Sequence, residues 1–483
     1  MRKNSQIVIA TVPWVDTNSP IMAPAALKSC LQENNIQSYA FDLNAEVKQL
    51  VENHPYRDSI LKFFLTEQVD QRAKKSIKDI IDFMVDRIIS HDPEWVGLSL
   101  LTYLSQITNF WLCARLRQRA PEIKIIIGGP GAFVTLKSGN SYVAALKSQN
   151  LIDYYISGDG ESSMVALMQG QTDYPGINDI NWQQIPNLND LPIPNYDDYD
   201  WSLYKNKQIR LVGSRGCVRD CTFCDVHEHW NKFQYKSGEK IFSEINSLKS
   251  KYSIDVFSFS DSLVNGNQKE YRHLITRLAD FNASQNSIKD RIRWTGSFII
   301  RPMDQMKESD WKLTAESGAE ILSVGVESFV EHIRYHIRKK FSNADLEFAL
   351  EMGAKYGIKM HLLLIVGYAT ETQKDFDAQL KWVENHKRFA INPINLVQIG
   401  SGLGILPGTW LDRNKDILKI TLGNSEVMQD WSSELTGTTP KIRMEWHHQM
   451  YEKLKECKFT PSYMHDNHVL IESYINGKYQ TGS

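Results

Sequence analysis

Short apolar runs alternate with amphipathic segments along the first third of the chain. Runs such as QIVIATV (6–12), WVGLSLL (95–101) and KIIIGG (124–129) are typical of buried strands, and segments of helical periodicity separate them. In one such segment the apolar residues are Ile77, Ile80, Ile81, Met84, Val85, Ile88 and Ile89. Strands that alternate with helices predict an α/β fold, with a doubly wound parallel sheet in a domain over residues 1–168.

The alternation of strand and helix segments is interrupted after the first domain and then resumes. Prolines among Asn and Asp predict a linker over residues 169–205. Six further strand–helix repeats come after it, and their strands are IRLVGS (209–214), VFSFSD (256–261), IRWTGSF (292–298), ILSVGV (321–326), KMHLLLIVG (359–367) and INLVQIG (394–400). Six repeats predict a partial (βα)6, TIM-like barrel over residues 206–400, with reactive groups at the carboxyl ends of its strands. Residues 401–483 are mixed in pattern and are predicted to form a small C-terminal cap domain.

Composition narrows the class of protein. Of 483 residues, 42% are hydrophobic and 23% charged, as in ordinary globular proteins, and the formal net charge is −2. This charge gives no basic footprint for nucleic acid, so a nucleic-acid partner is not expected. No apolar run approaches the roughly 20 residues that span a bilayer, and we therefore expect a cytoplasmic protein without a membrane span.

Three of the six cysteines lie within eight residues, as Cys217-x3-Cys221-x2-Cys224 directly after the first barrel strand. Clustered thiols favour a metal site in a reducing compartment over a disulfide framework. Three thiolates can each hold one iron of a cubane and leave the fourth iron without a protein ligand. A zinc site that adds His227, and three merely structural cysteines, are the alternatives. Cys30 and Cys113 lie beside apolar residues, and simple burial is expected for both.

The spacing Cys-x3-Cys-x-aromatic-Cys after a strand, at the start of six strand–helix repeats, resembles the radical SAM superfamily. The resemblance implies a 4Fe-4S cluster on the three cysteines and S-adenosylmethionine (SAM) bound to the open iron. It implies reductive cleavage of SAM to a 5′-deoxyadenosyl radical, which abstracts hydrogen from an unactivated carbon. It also places Phe223 against the adenine of SAM.

Other positions resemble family motifs for SAM binding. Asp261 and Ser262, at the end of the second barrel strand, match the position that binds the SAM amine, where an acidic side chain suits an ammonium group. Glu327 in GVES, after the fourth strand, and Gly367 in IVGYATET, after the fifth, resemble motifs of the cobalamin-linked branch. Ala369 and Thr370 depart from that branch, which has Pro and Gly there.

The N-terminal domain resembles the cobalamin-binding class. Ser99-x-Leu101 followed, after 26 residues, by Gly128-Gly129 matches two of that fold's three sequence marks, and the turn GDGESS, which begins at Gly158, resembles the one that closes such domains. Glycines at strand ends would let the backbone approach a bulky cofactor. The third mark, Asp-x-His-x-x-Gly, is missing, because the loop reads PWVDTNSP, and no His ligand to cobalt is expected from it.

These resemblances imply a cobalamin-dependent radical SAM methyltransferase with a 4Fe-4S cluster, SAM and cobalamin as cofactors. A cobalamin-linked cyclase or rearrangement enzyme, without methyl transfer, is a second hypothesis, and a non-catalytic sensor of SAM, cobalamin or redox state is a third. The implied partners are a small-molecule or peptide substrate and an electron donor such as flavodoxin or ferredoxin. The pattern assigns no catalytic side chain, and it does not identify the substrate.

Overall fold

The computed structural model describes residues 6–15, 19–132, 142–400, 402–423 and 428–463. The chain divides into two compact units, Met1–Arg210 with Leu248–Ile254, and Leu211–Ser247 with Asp255–Ser483. Among the described residues no helix is both long enough and apolar enough to cross a membrane.

The first unit contains one parallel sheet flanked by helices. Its elements are β1 (Ile7–Thr11), α1 (Met22–Glu33), β2 (Ser38–Asp42), α2 (Leu43–Glu52), α3 (Arg57–Thr66), α4 (Lys74–Ile89), β3 (Trp95–Ser99), α5 (Gln106–Arg119), β4 (Lys124–Gly128), α6 (Tyr142–Ser148), β5 (Tyr154–Ile156) and α7 (Gly160–Met168). The strand order is β2-β1-β3-β4-β5, and neighbouring strands pair in parallel.

Both faces of this sheet are buried, which explains its continuous apolar runs. Val8 and Ala10 belong to one core cluster with helices α2 to α5, whereas Ile7 and Ile9 belong to a second cluster with α1 and α7. Successive residues of β1 therefore enter opposite layers, as expected for a strand covered on both sides. The predicted doubly wound α/β fold is confirmed.

The segment predicted as a linker, 169–205, packs as part of the first unit. Tyr196 and Tyr199 are buried there, and their hydroxyl groups donate to the carbonyl oxygens of Arg210 (3.1 Å) and Ile21 (3.2 Å). The Asp198 carboxylate accepts from the backbone N–H of Ala40 in the edge strand β2 (3.0 Å). The prolines and Asn residues indicated irregular backbone, but irregular backbone can still bury aromatic rings whose polar ends are satisfied.

The second unit contains the barrel strands and the C-terminal elements of the chain. Its elements, with those that lead into it, are β6 (Ile209–Leu211), β7 (Ser214–Arg215), α8 (Val226–His229), β8 (Gln234–Tyr235), α9 (Gly238–Tyr252), β9 (Val256–Phe259), α10 (Gln268–Ala283), β10 (Arg293–Phe298), α11 (Glu308–Glu316), β11 (Ala319–Glu327), α12 (Glu331–Ile337), α13 (Asn343–Tyr356), β12 (Lys359–Leu364), α14 (Gln373–Asn385), β13 (Ile394–Ile399), α15 (Trp410–Arg413), β14 (Ile420–Leu422), β15 (Trp431–Ser433), α16 (Pro440–Glu456) and β16 (Pro461–Tyr463).

The six predicted barrel strands form one sheet with a seventh strand at its edge. The order is β16-β13-β12-β11-β10-β9-β6. Along β10 and β12 buried residues alternate with less buried ones, as expected when one face packs on helices and the other lines a barrel interior. The seventh strand, β16, pairs in parallel with β13 and comes from the region predicted as a separate cap domain. The described part of 401–483 thus belongs to the barrel unit, because its last strand extends the barrel sheet.

Candidate active site

The three clustered cysteines lie on one loop, residues 216–225, which we call the cysteine loop. It runs from the end of β7 to the start of α8, and all three thiols are free and half-buried. The backbone N–H of Arg219 donates to Cys217 Sγ (3.3 Å), and that of Cys224 donates to the carbonyl oxygen of Cys221 (3.1 Å). The loop is thus curled by its own backbone with the thiols partly accessible.

The chemistry of the thiols fits an iron–sulfur cluster. Burial raises the pKa of Cys221 and raises that of Cys224 to about 12, so a bound metal must displace their protons, as coordinating metals do. Within the described ranges no group of three His, Cys, Asp or Glu side chains is placed to hold a single metal ion. In a cubane each thiolate binds a different iron, so the sulfurs need not converge. The donor set fits an iron–sulfur cluster.

Hydrogen bonds of Thr222 to three other segments hold the cysteine loop in place. Its hydroxyl group is 2.6 Å from the Tyr368 hydroxyl, and its backbone N–H donates to the carbonyl oxygen of Ile337 (3.3 Å). Its own carbonyl oxygen accepts from the backbone N–H of Leu411 (3.0 Å). Three separate segments therefore fix the residue between Cys221 and Phe223, and sequence reasoning identified none of these contacts.

Phe223, on the cysteine loop, and Glu327, at the end of β11, both lie near the basic side chain of Lys339. Phe223 is partly buried against the apolar cluster beneath the loop, and the Lys339 ammonium group is 6.0 Å from its ring centroid. The same ammonium group pairs with Glu327 (2.7 Å) at the end of β11. The predicted contacts of Phe223 with adenine, and of Glu327 with SAM, stay predictions.

Asp261 is almost completely buried, and its two carboxylate oxygens accept from the backbone N–H of Gly213 and the hydroxyl group of Ser214 (2.8 Å each). Burial raises its pKa to about 7. These bonds tie the segment after β9 to the segment that leads into the cysteine loop. Ser262, beside it, is exposed. A contact of either residue with the SAM amine stays a prediction.

The loop after β12 is organised by Glu371, a residue of the IVGYATET motif to which the sequence analysis gave no role. Glu371 Oε2 accepts from the backbone N–H groups of Gly367 (2.8 Å) and Tyr368 (3.0 Å), and Oε1 accepts from Gln379. Glu371 is fully buried, which raises its pKa to about 7. A Cβ on Gly367 would approach the Arg443 side chain of α16 to 2.4 Å. The signal was present as a Glu one residue before Thr372, the N-cap of α14.

In the first unit, the predicted cobalamin residues lie at the carboxyl ends of β3, β4 and β5. Ser99 Oγ accepts from the backbone N–H of Val12 (2.9 Å), which ties β3 to the segment after β1. Leu101, two residues beyond β3, is half-buried. A Cβ on Gly128 would meet only ordinary contacts, at 3.5 Å or more.

Two of the predicted glycines have a structural reason of their own. Gly129 has φ +112°, and a Cβ there would lie 2.9 Å from the carbonyl oxygen of Leu100. A Cβ on Gly158 would lie 1.9 Å from the ring of Trp182, which covers that glycine. The groups that lie close to these glycines are therefore parts of the protein itself, namely the backbone of Leu100 at Gly129 and the indole ring of Trp182 at Gly158. Their contact with cobalamin stays a prediction.

The same edge of the first sheet contains polar atoms that are shielded from solvent without a hydrogen-bond partner among the described residues. They are Thr11 Oγ1, Trp14 Nε1, Thr102 Oγ1, Ser105 Oγ, Thr108 Oγ1 and Asn109 Oδ1. We call this set, with Ser99, the polar edge. An unsatisfied buried group costs about 1–3 kcal/mol, so a concentration of them at adjacent strand ends fits a polar ligand. Residues 16–18 of the PWVDTNSP loop (13–20) lie outside the described residues.

Residues 211–383 match the family model of the radical SAM superfamily. Among curated relatives, an uncharacterized methyltransferase of Pyrococcus horikoshii is 23% identical over 313 residues, 61% of this chain and 64% of that protein. The anaerobic magnesium-protoporphyrin IX monomethyl ester cyclase of Synechocystis is 23% identical over 323 residues, 62% of this chain and 61% of that one. The chain thus spans less than two thirds of the length of these relatives.

Two solved structures share the fold. The methyltransferase TsrM of Kitasatospora setae, with cobalamin and a [4Fe-4S] cluster bound, gives a TM-score of 0.62 at 13% identity, over 88% of this chain and 81% of that one. The cobalamin-dependent SAM radical enzyme OxsB, with aqua-cobalamin and SAM bound, gives 0.64 at 13% identity, over 98% and 70%. The cysteine loop lies within residues 211–383, the part of the chain that matches the radical SAM superfamily.

Proposed function

We propose that the protein is a cobalamin-dependent radical SAM methyltransferase that acts on an unactivated carbon. The proposal rests on two features of one chain, a three-thiol loop in a radical SAM domain and a doubly wound unit whose polar edge has buried groups without hydrogen-bond partners among the described residues. The methyltransferase names of relatives and of the TsrM structure support it.

In this proposal the barrel residues hold the cluster and SAM. Cys217, Cys221 and Cys224 each ligate one iron. Phe223 packs on the adenine, and the polar groups at the strand ends, Asp261, Ser262, Glu327 and the backbone at Gly367, orient the rest of SAM. The bound cofactors supply reductive cleavage of SAM and a transferable methyl group, while the protein positions them and excludes water.

The first unit would hold cobalamin at the polar edge. Ser99, Leu101, Gly128 and Gly129 are the proposed contacts, joined by the hydroxyl groups of Thr102, Ser105 and Thr108, which hydrogen bonds from the cofactor's amide side chains would satisfy. Gly158 supports this edge through its contact with Trp182.

A second candidate is a cobalamin-linked cyclase or rearrangement enzyme. The likeness to the cyclase of Synechocystis, over 62% of this chain, favours it specifically. The two candidates share the cluster, SAM and cobalamin, and differ in whether a methyl group reaches the product.

The partners follow from the same chemistry. The proposed substrate is a small molecule or a peptide, and a low-potential flavodoxin or ferredoxin is the proposed electron donor. The proposed location is the cytoplasm, because free, clustered thiols suit a reducing compartment.

Product analysis tests the proposal. The reconstituted protein is incubated anaerobically with SAM, a reductant and candidate substrates, and 5′-deoxyadenosine and S-adenosylhomocysteine are quantified. Methyl transfer predicts both products in about equal amounts, since one SAM is the radical source and another the methyl donor. Deoxyadenosine alone would favour the cyclase, and absence of both above the level of the Cys224→Ser variant would indicate a sensor.

A further inference from the structure

A buried ion pair lies against the cysteine loop. Lys339 Nζ is 2.7 Å from Glu327 Oε1, and the two side chains are only 12% and 10% exposed. Removing two charges from water is costly, and a buried pair rarely adds net stability over apolar residues of similar size. A pair retained at this place therefore calls for another role.

The backbone is shaped to bring the pair together. Strand β11 is irregular between Gly325 and Glu327, and Glu327 adopts φ +64°, an uncommon conformation for a residue with a side chain. A Cβ on Gly325 would lie 2.5 Å from Glu327 Oε1 and 2.8 Å from Lys339 Nζ. The glycine thus provides the space in which carboxylate and ammonium group meet.

Three successive basic residues, 338–340, follow helix α12, and their side chains have different partners. Arg338 and Lys340 pair with the exposed Asp220, at 2.8 Å and 3.9 Å. Lys339 interacts electrostatically with Cys221 and Cys224, and Glu327 interacts with Cys221 in the opposite sense. Among the other charged groups around the loop, Arg219 acts on Cys221 and Asp225 on Cys224. Lys339 is buried, so its field is screened less than that of the exposed charges.

We propose that the Lys339–Glu327 pair sets the reduction potential of the cluster on the cysteine loop, with Lys339 raising it and Glu327 lowering it. This rests on the proposed cluster, but not on cobalamin, substrate or methyl transfer. Reduction adds one electron from a low-potential donor to the cluster, and the cluster with its three thiolates becomes more negative by one charge. A nearby ammonium group stabilises that form and a carboxylate destabilises it, and net charge is among the factors that tune such potentials.

The test is a redox titration of the cluster in the absence of SAM and cobalamin. Wild type, Lys339→Met and Glu327→Gln are reconstituted anaerobically, iron is counted, and the reduced cluster is followed by its paramagnetic resonance signal. At a fixed potential, Lys339→Met should lower the ratio of reduced to oxidised cluster about tenfold, ~59 mV for one electron, and Glu327→Gln should raise it. Lys340→Met, the matched control on the exposed neighbour, should leave the midpoint within about 20 mV of wild type, a factor of about two.

Opposite signs separate an electrostatic role from a structural one. Shifts of the same sign, or no shift in either variant with full iron content, would overturn the inference and leave the proposed function intact. If Lys339→Met does not hold four irons, Lys339→Arg, which keeps the charge, should retain the wild-type midpoint, and Glu327→Gln still decides the sign. A wild-type chain that takes up no cluster contradicts the proposed function itself.

Discussion

The cysteine loop and the polar edge of the first sheet are built in different ways. The loop takes its three thiols from eight consecutive residues, and Thr222 fixes it through its hydroxyl group and its backbone. The polar edge gathers hydroxyl and amide groups from the ends of β1 and β3 and from the first turn of α5. A site made of neighbours in sequence can be identified from spacing, whereas a site made at a sheet edge emerges only when the strand order is known.

The largest expected effect concerns the loop. Replacement of Cys217, Cys221 or Cys224 by Ser should abolish the cluster and SAM cleavage, because a hydroxyl group is a poor ligand for iron in place of a thiolate. Iron content and visible absorbance after anaerobic reconstitution measure this. Cys30→Ala, in helix α1 of the other unit, is the control and should keep the full iron content; a cluster that survived in the three loop variants would contradict the assignment.

A smaller effect is expected when the space that Gly325 leaves for the Lys339–Glu327 ion pair is filled. Gly325→Ala should destabilise the protein by about 1–3 kcal/mol, because the new methyl group overlaps with Glu327 and Lys339 and forces them apart. Urea unfolding measures the loss. Gly160→Ala, where the nearest atom is 3.4 Å from the added Cβ, is the control and should be neutral or stabilising. Equal stability of the Gly325→Ala and Gly160→Ala variants would show that the space is not needed.

A third prediction concerns the pH dependence of stability that the buried carboxyl group of Asp42 causes. Asp42 ends β2, accepts from the backbone N–H of Ala45 (3.1 Å) and from the Tyr204 hydroxyl (2.8 Å), and burial raises its pKa to about 6. A raised pKa means that the folded chain binds the proton more tightly, so this contribution to stability falls as pH rises from about 4 to about 6.

Asp42→Asn, which keeps an acceptor for Ala45, should remove that dependence. Relative to wild type, its free energy of unfolding should rise by about 1–3 kcal/mol between pH 4 and 7. Urea unfolding at several pH values gives the difference, and the exposed Asp58→Asn is the control. If the free energy of unfolding depends on pH in the same way in wild type and in Asp42→Asn, Asp42 does not titrate with a raised pKa.

The smallest effect has opposite signs with and without ligand. Thr108 Oγ1 is buried without a partner in the described chain, so Thr108→Val should stabilise the apoprotein by about 1 kcal/mol. If cobalamin satisfies this hydroxyl group, the variant should bind hydroxocobalamin about fivefold more weakly. Thermal unfolding and equilibrium dialysis measure the two effects. Thr276→Val, on the exposed face of α10, should change neither; unchanged affinity in Thr108→Val would remove Thr108 from the site.

Sequence periodicity predicted the strands of the first sheet and six of the seven strands of the barrel sheet, and cysteine spacing predicted the cysteine loop, because buried strands and clustered thiols are visible in the local sequence. It did not predict that 169–205 packs in the first unit, since Tyr196 and Tyr199 are buried by distant partners rather than by periodicity. Nor did it predict β16, whose three residues are a strand only because β13 offers an edge. The roles of Thr222, Lys339 and Glu371 depend on contacts between loops that come after different strands. The spacing of residues along the sequence does not predict such contacts.

The metal content of the full chain tests whether one chain holds a cluster on the cysteine loop and cobalamin at the polar edge. The full chain is reconstituted anaerobically with iron, sulfide and hydroxocobalamin and desalted, and iron and cobalt are then quantified per chain. We expect about four irons and about one cobalt per chain. Iron without cobalt would contradict the assignment of the first unit, and zinc without cluster absorbance would contradict the assignment of the cysteine loop.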